Sequence, residues 1–463
     1  MLGSLVLAAA VAAAPSNSAL TDKLDRWLVA SDFKGSVLVA QGGNVVLRKG
    51  YGLADRENNV PYDADTVFSI GSITKQFTAA AILKLEMQGK LKVEDTVGKF
   101  FPAAPDDKKG ITLHQLLTHS SGLESDFARD YDPVSRDEYV GRILSSKLRS
   151  KPGAEFYYAN SGYSLLGAIV ELASGMPYES YLREKLFIPA GMKSTGYKFP
   201  AWPPAKIAVG YKDGQRWGRI TDKPWAADGP YWALRCNGGI HSTLDDMFRW
   251  HKALLGDAIL SAPEKAKMFA EQIPERGGDG AYGYGWSVGR SAWGGRLIEH
   301  NGGNGVMYAD FLRYTDDDIV VILSTNDSQV KGGRISHGLG RLTHGDDVPV
   351  PMSAPTALAP VSSSPRAAVI QAWFDAFNAK GVEAMRSFRA AHFVPRKGLD
   401  VAEADRRIAA MQDDLGRLTP EGIVSVEGGN TSVRAKSANG PTAMLRFMFR
   451  DDGKVDGIGV EVN

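Results

Sequence analysis

Strand-like text stands at both ends of the first 345 residues, with helical text between them, and this order limits the folds open to the chain. Residues 36–40 and 45–51 flank Gln41-Gly-Gly-Asn44 and read as a hairpin. Residues 296–300, 306–313 and 319–324 are strand-like again, with Thr315-Asp-Asp-Asp318 turning the last pair. Helical periods fall at 72–88, 112–119, 136–149, 162–174 and 244–255. One antiparallel sheet drawn from both ends, with the centre inserted as a helical layer, buries the apolar faces of all these segments.

Composition changes at residue 346. The stretch from Asp346 to Pro365 holds five prolines and little to pack, so it reads as an extended linker over 346–365. It divides a body, 19–345, from a tail, 366–463. The tail has helical periods at 366–379, 381–391 and 401–416, then strand-like runs at 421–427, 431–436, 442–449 and 455–462. That makes it a small α+β domain, loosely similar in composition to the cone-shaped NTF2-like domains. At the other end, Leu5-Val6-Leu7 and the alanines to Ala14 form an apolar run of signal-peptide length, with small residues at Ala12 and Ala14. Residues 1–18 are therefore expected to be an export signal and the protein to be periplasmic or secreted. No other window has eighteen consecutive apolar residues, so no transmembrane segment is expected.

Lys plus Arg number 54 against 53 for Asp plus Glu, and this balance argues against a nucleic-acid partner. The single cysteine, Cys236, excludes an intrachain disulfide and a cysteine-cluster metal site.

The most informative segment runs from Phe68 to Phe77. Ser72 sits where a helix should begin, Ile73, Phe77, Ala81 and Leu85 recur at its apolar period, and Gly89 is a C-terminal stop. Ser72 and Lys75 then share one helix face, with Cβ atoms roughly 5–6 Å apart. A serine hydroxyl needs a base to become a nucleophile, and a neutral lysine can serve if burial lowers its pKa. Taken alone, S-x-x-K also reads as an N-cap serine beside a solvated lysine. About 85 residues later, Tyr157-Tyr158-Ala159-Asn160-Ser161 places a phenol and an amide at a loop–helix junction, or simply packs a tyrosine at a core edge. Glu299-His300-Asn301-Gly302-Gly303 ends a strand, where glycines let a ligand approach the backbone.

Ser72-Ile-Thr-Lys75, Tyr158-Ala-Asn160 and His300-Asn-Gly302, in this order on helix, loop and strand, resemble the serine β-lactamase and penicillin-binding superfamily. The nearest branch is the class C β-lactamase-like serine hydrolases, which include D,D-carboxypeptidases, D-aminopeptidases and family VIII esterases. Leu116-Leu-Thr-His-Ser-Ser-Gly-Leu123 and Gly238-Gly-Ile-His-Ser-Thr-Leu-Asp-Asp-Met247 support the likeness, which spans about residues 20 to 340. It implies an α/β (α+β) fold of an antiparallel sheet with a helical layer, and Ser72 as the acylated nucleophile. It further implies that Lys75 and Tyr158 share acid and base work, and that Asn160, His300 and Gly302 contact substrate. The backbone N–H groups of Ser72 and Gly303 would form the oxyanion hole. His300 stands where class C β-lactamases carry lysine. A mostly neutral histidine weakens the case for β-lactamase activity, and the likeness of His300-Asn-Gly302 to the H-x-G of the peptidase-like branch, where family VIII esterases often carry W-x-G, favours a peptidase or amidase over a strict esterase.

Gly285-Trp286-Ser287-Val288-Gly289 matches the G-x-S-x-G elbow, but the text after it is a hairpin rather than a helix, so Ser287 is expected to be structural. No metal site is expected: His114 and His119 are five apart, and His119 and His241 are expected to be hydrogen-bonded near the core. Residues 197–232 carry Trp202, Trp217, Trp225 and Trp232 with five prolines, either an aromatic wall for an acyl group or a loop pinned by its rings. The expectation is a cofactor-free serine hydrolase acting through an acyl-enzyme on small amides or esters, D-amino-acid peptides among them. Alternatives are a carboxylesterase or β-lactamase of the same fold, or a penicillin- or peptidoglycan-fragment-binding protein without turnover. Oligomeric state is left open.

Overall fold

The computed structural model describes residues 18–275, 280–350, 358–379, 381–395, 401–427, 429–439 and 442–462. The expected export signal lies outside these residues, apart from Ser18. The chain divides into two compact units, one ending at Pro351 and the other beginning at Met352.

The first unit is built on one sheet of eight antiparallel strands. They are β1 (Gly35–Gln41), β2 (Asn44–Tyr51), β3 (Ile273–Pro274), β4 (Ala281–Tyr282), β5 (Ser287–Arg290), β6 (Arg296–Gly303), β7 (Tyr308–Tyr314) and β8 (Ile319–Thr325). Their order across the sheet is β2-β1-β8-β7-β6-β5-β4-β3. The two ends of the unit meet where β1 pairs with β8, Val39 opposite Val321. Both strands are apolar at nearly every position because both faces of the sheet are covered. Val37, Val39, Ile319, Val321 and Leu323 face a core formed with α1 (Ser18–Ala30) and α5 (Gly332–His344). Leu38, Ala40, Val320 and Ile322 face the larger core on the other side.

That larger core centres on α2 (Thr74–Met87), flanked by α3 (Asn160–Ser174) and α4 (Leu244–Leu255). The sequence suggests one apolar face for α2, yet every residue from Thr74 to Leu83 is buried. The helix lies inside the unit, wrapped by other elements, with Phe77 against Phe187 and Trp250 at 5.1 and 4.8 Å between ring centroids. Its end agrees with the expected stop: Gln88 caps it and Gly89 takes a φ of +69°.

The second unit has three helices, Ala367–Asn378, Glu383–His392 and Val401–Leu415, followed by a four-stranded antiparallel meander from Leu418 to Val462. Trp373, Phe374, Phe377, Leu445 and Phe447 fill its separate core. The stretch expected as linker is shorter than its composition suggests. Lys23 Nζ donates to the Asp346 carbonyl at 3.1 Å and Trp27 Nε1 to that of Val348 at 3.1 Å, which ties the first residues to α1. Farther on, Ala359 bridges to Ile423 inside the second unit. Among the described residues, no helix is long and apolar enough to cross a membrane.

Candidate active site

A short strand, Phe68–Ser69, pairs with His241–Ser242 and runs into a 3-10 turn, Gly71–Ile73, that leads directly into α2. Ser72 sits on this turn and Lys75 in the first turn of α2, and Lys75 Nζ lies 3.0 Å from Ser72 Oγ. Lys75 is not solvated; its side chain is fully buried. Nζ donates to the Asn237 carbonyl at 2.8 Å and lies 4.7 Å from the centre of the Tyr158 ring and 5.8 Å from that of Tyr163. Burial pulls the ammonium down to about 7, against weaker upward pulls from Asp126 and Asp130. A neutral amine so placed can give one N–H to Asn237 and accept the Ser72 proton on its lone pair.

Tyr158 lies beside Ser72, and burial raises its phenol above the ordinary value, so it stays protonated near neutral pH. Its ring lies 4.2 Å from that of His119, tilted by 31°, and His119 occupies the left-handed region at φ +56°. The Ala159 N–H donates to His119 Nδ1 at 3.0 Å, clamping the segment that carries Tyr158 and Asn160.

The end of β6 abuts the Ser72 turn. A Cβ built on Gly302 would stand 2.0 Å from the Ile70 carbonyl oxygen and 2.6 Å from the Ser72 nitrogen; one on Gly71 would stand 2.7 Å from the Gly303 nitrogen. Only glycine allows this approach, and it brings the Ser72 and Gly303 amides to one place, as an oxyanion hole requires. Both residues line a cavity with Ser69, Asn237 and Gly238. Asp130, Tyr131, Asn160 and Asn304 supply its polar rim, and Ile220, Leu234 and Met307 its apolar side.

Ser72, Lys75, Tyr158, Gly302 and Gly303 thus converge, and Asn160 lines the same cavity. Its Nδ2 is held by Asp126 at 3.0 and 3.3 Å. His300 departs from its expected place. It is 6% exposed and does not line the cavity. Its Nε2 lies 2.9 Å from the Tyr282 hydroxyl and its Nδ1 2.6 Å from the Asn301 carbonyl. A neutral ring protonated on Nδ1 satisfies both contacts, and burial, with Lys75 nearby, pulls it down to about 3. His300 therefore offers no positive charge to a substrate.

Ser287 lies on β5, its hydroxyl donating to Glu275 Oε1 at 2.8 Å, with no helix following. Gly285, at φ +77°, precedes the strand, and Tyr284, Trp286 and Val288 are all buried in the larger core. None of the four tryptophans between 197 and 232 lines the cavity. Trp217 and Trp225 pack behind Tyr131, Ile220 and Met307, a second layer supporting the wall. His241 sits between Trp202 and Trp225, 5.8 Å from each. Asn237, His119 and Asp130 are the neighbours that sequence reasoning missed as parts of the site; Asn237 is held by its own amide on Ala233 and Ser164, at 2.8 and 3.0 Å.

The Beta-lactamase family model matches residues 30–342. The chain belongs to this family. Penicillin-binding protein 4* of Bacillus subtilis (strain 168) is 29% identical over 309 residues, covering 64% of this chain and 68% of the relative. Among solved structures, an octameric penicillin-binding protein homologue from Pyrococcus abyssi superposes with a TM-score of 0.64 at 24% identity, covering 96% of this chain and 98% of that one. The D-amino acid amidase of Ochrobactrum anthropi SV3, complexed with D-phenylalanine, gives 0.58 at 23% identity over 71% of this chain and 97% of its own. Members of the family and its structural neighbours are serine hydrolases and penicillin-binding proteins, and the antiparallel sheet with its helical layer is their shared fold.

Proposed function

We propose that the protein is a serine hydrolase that cleaves small amides or esters through an acyl-enzyme on Ser72. The observation that carries this reading is the buried Lys75 amine 3.0 Å from Ser72 Oγ, in a site where burial brings its titration down to about 7, so that a large neutral fraction can accept a proton near neutral pH. Ser72 Oγ attacks the substrate carbonyl carbon while its proton passes to Lys75 Nζ. The carbonyl oxygen gains the negative charge, and the amides of Ser72 and Gly303 receive it; each such donor typically contributes about 3–4 kcal/mol. As the carbon–nitrogen or carbon–oxygen bond breaks, the leaving group takes the Tyr158 phenolic proton, and the phenolate is refilled from the Lys75 ammonium. Water then attacks the acyl-enzyme, its proton returning by the same groups, and Ser72 is released.

Intact-mass measurement of the full chain after brief exposure to p-nitrophenyl butyrate tests this reading. The expected result is a transient butyryl adduct with release of nitrophenol, both lost in Ser72→Ala. Equal ester hydrolysis by that variant would remove Ser72 as nucleophile. Benzylpenicillin in a parallel sample separates the β-lactamase and penicillin-binding alternatives by a lasting adduct or an opened product. We also propose an exported location, on the apolar run from Leu5 to Ala14.

A further inference from the structure

Among the described residues, the cavity around Ser72 is lined by no lysine, arginine or histidine, and by one carboxylate, Asp130. That carboxylate is half-buried and, among the described residues, makes no hydrogen bond and no ion pair. Burial, then the neighbouring charge of Asp126, push it up, and Lys75 pulls it the other way. Lys75 feels its field but is directed elsewhere, to Ser72 and Asn237. Asp126 is engaged by Asn160 Nδ2 and by the Ser125 hydroxyl at 2.5 Å, and with its Nδ2 so held Asn160 makes no hydrogen bond through Oδ1 to any described residue. Of that rim, Asp130 and Asn160 therefore present acceptors, a carboxylate and an amide oxygen, while Asn304 has its Oδ1 taken by the Val306 and Met307 amides. A group bearing several N–H donors and a positive charge satisfies both, whereas a substrate carboxylate would meet the like charge of Asp130 with no cation lining the cavity beside it.

We infer that Asp130 is the subsite for an ammonium group on the acyl side of the substrate, so that the enzyme hydrolyses amino-acyl amides or esters with a free amine. The inference rests on the acyl-enzyme reading and narrows it. The scissile carbonyl oxygen lies at the Ser72 and Gly303 amides, the ammonium donates to Asp130 and Asn160 Oδ1, and the apolar side chain packs on Ile220, Leu234 and Met307. Acetylating the amine removes the charge and forces an uncompensated carboxylate against an acyl group, a cost of the size that charged hydrogen bonds carry, roughly 10- to 100-fold in binding. The same electrostatics disfavour peptides whose carboxylate lies close to the scissile bond.

The test compares alanine p-nitroanilide with N-acetyl-alanine p-nitroanilide, in D and L forms, on the full chain, with p-nitrophenyl butyrate alongside. The expected result is a preference of at least about tenfold in kcat/KM for the free amine in one enantiomer, collapsing to near parity in Asp130→Asn through a rise in KM for the amine. A second readout needs no variant. For the free-amine anilide kcat/KM should fall again above pH ~8 as the ammonium deprotonates, whereas the acetylated compound should show no such fall. Ser72-dependent hydrolysis of the butyrate with no preference for the free amine, or a preference that Asp130→Asn leaves intact, would overturn the ammonium subsite while leaving the nucleophile in place. Failure to hydrolyse the butyrate would instead strike at the acyl-enzyme reading itself.

Discussion

Lys75 is a base held at a cost in stability, and that cost has a pH signature. Its side chain is fully buried, and its pKa falls from 10.5 to about 7 chiefly through desolvation. Between these two values the unfolded chain holds a proton that the folded chain has lost, so stability rises with pH across this window. With roughly 1.36 kcal/mol per unit, the charged form costs about 4 kcal/mol at pH 7 and about 2 kcal/mol at pH 9. Lys75→Met keeps the volume and removes the titration. Urea unfolding of both proteins, followed by tryptophan fluorescence, reads this directly, because all nine tryptophans except Trp373 lie in the first unit. The variant should gain on the wild type at pH 7 relative to pH 9 by roughly 2 kcal/mol, whatever the pH-independent effect of losing the contacts to Ser72 and Asn237. It should also lose ester hydrolysis, while wild-type kcat/KM climbs through an acid limb near pH 7. A stability difference that stays flat from pH 7 to pH 9 would refute the claim that Lys75 titrates in this range, and with it the base assignment.

Two further outcomes follow from the site. Ser287→Ala removes one hydrogen bond to Glu275 and should cost about 1–2 kcal/mol while leaving ester hydrolysis within about twofold; lost hydrolysis in a folded variant would return the G-x-S-x-G reading. Gly302→Ala drives a Cβ into the Ile70 carbonyl and the Ser72 amide, so kcat should fall by about 100-fold or more, with a lower melting temperature by circular dichroism. A wild-type kcat in that variant would show that the abutment of β6 on the Ser72 turn does not set the reacting geometry.

Much of this was legible before any coordinates. Ser72 and Lys75 are three residues apart, and one helical turn brings them together whatever the rest of the chain does. The strands at the two ends were visible because alternation and turn residues are local signals. Other parts are set by tertiary convergence and leave no local trace. Asn237 serves Lys75 through its backbone carbonyl, which every residue type has. His300 carries the chemistry-bearing side chain of its motif, yet Tyr282 and the Asn301 carbonyl engage it, and no feature of His-x-Gly reveals that. Asp130 sits in unremarkable loop text and matters because a cavity closes around it. The burial of α2 on every side was hidden as well, since Thr74, Lys75, Gln76 and Thr78 look like a solvent face until the neighbours that enclose them are known.

The pairing of β1 with β8 sets a clock on the synthesis of the first unit. Val39 meets Val321 only after about 280 further residues have been made, which at 5–20 residues per second takes roughly 14–56 s. Until then the hairpin has one open edge with an almost wholly apolar strand behind it, a template for pairing with another chain. Any product that ends before Ile319 keeps that edge permanently. Forms truncated between Tyr158 and Ile319 should therefore be aggregation-prone even though they contain Ser72, Lys75 and Tyr158, and only a chain that reaches Thr325 can close the sheet on both sides of β1.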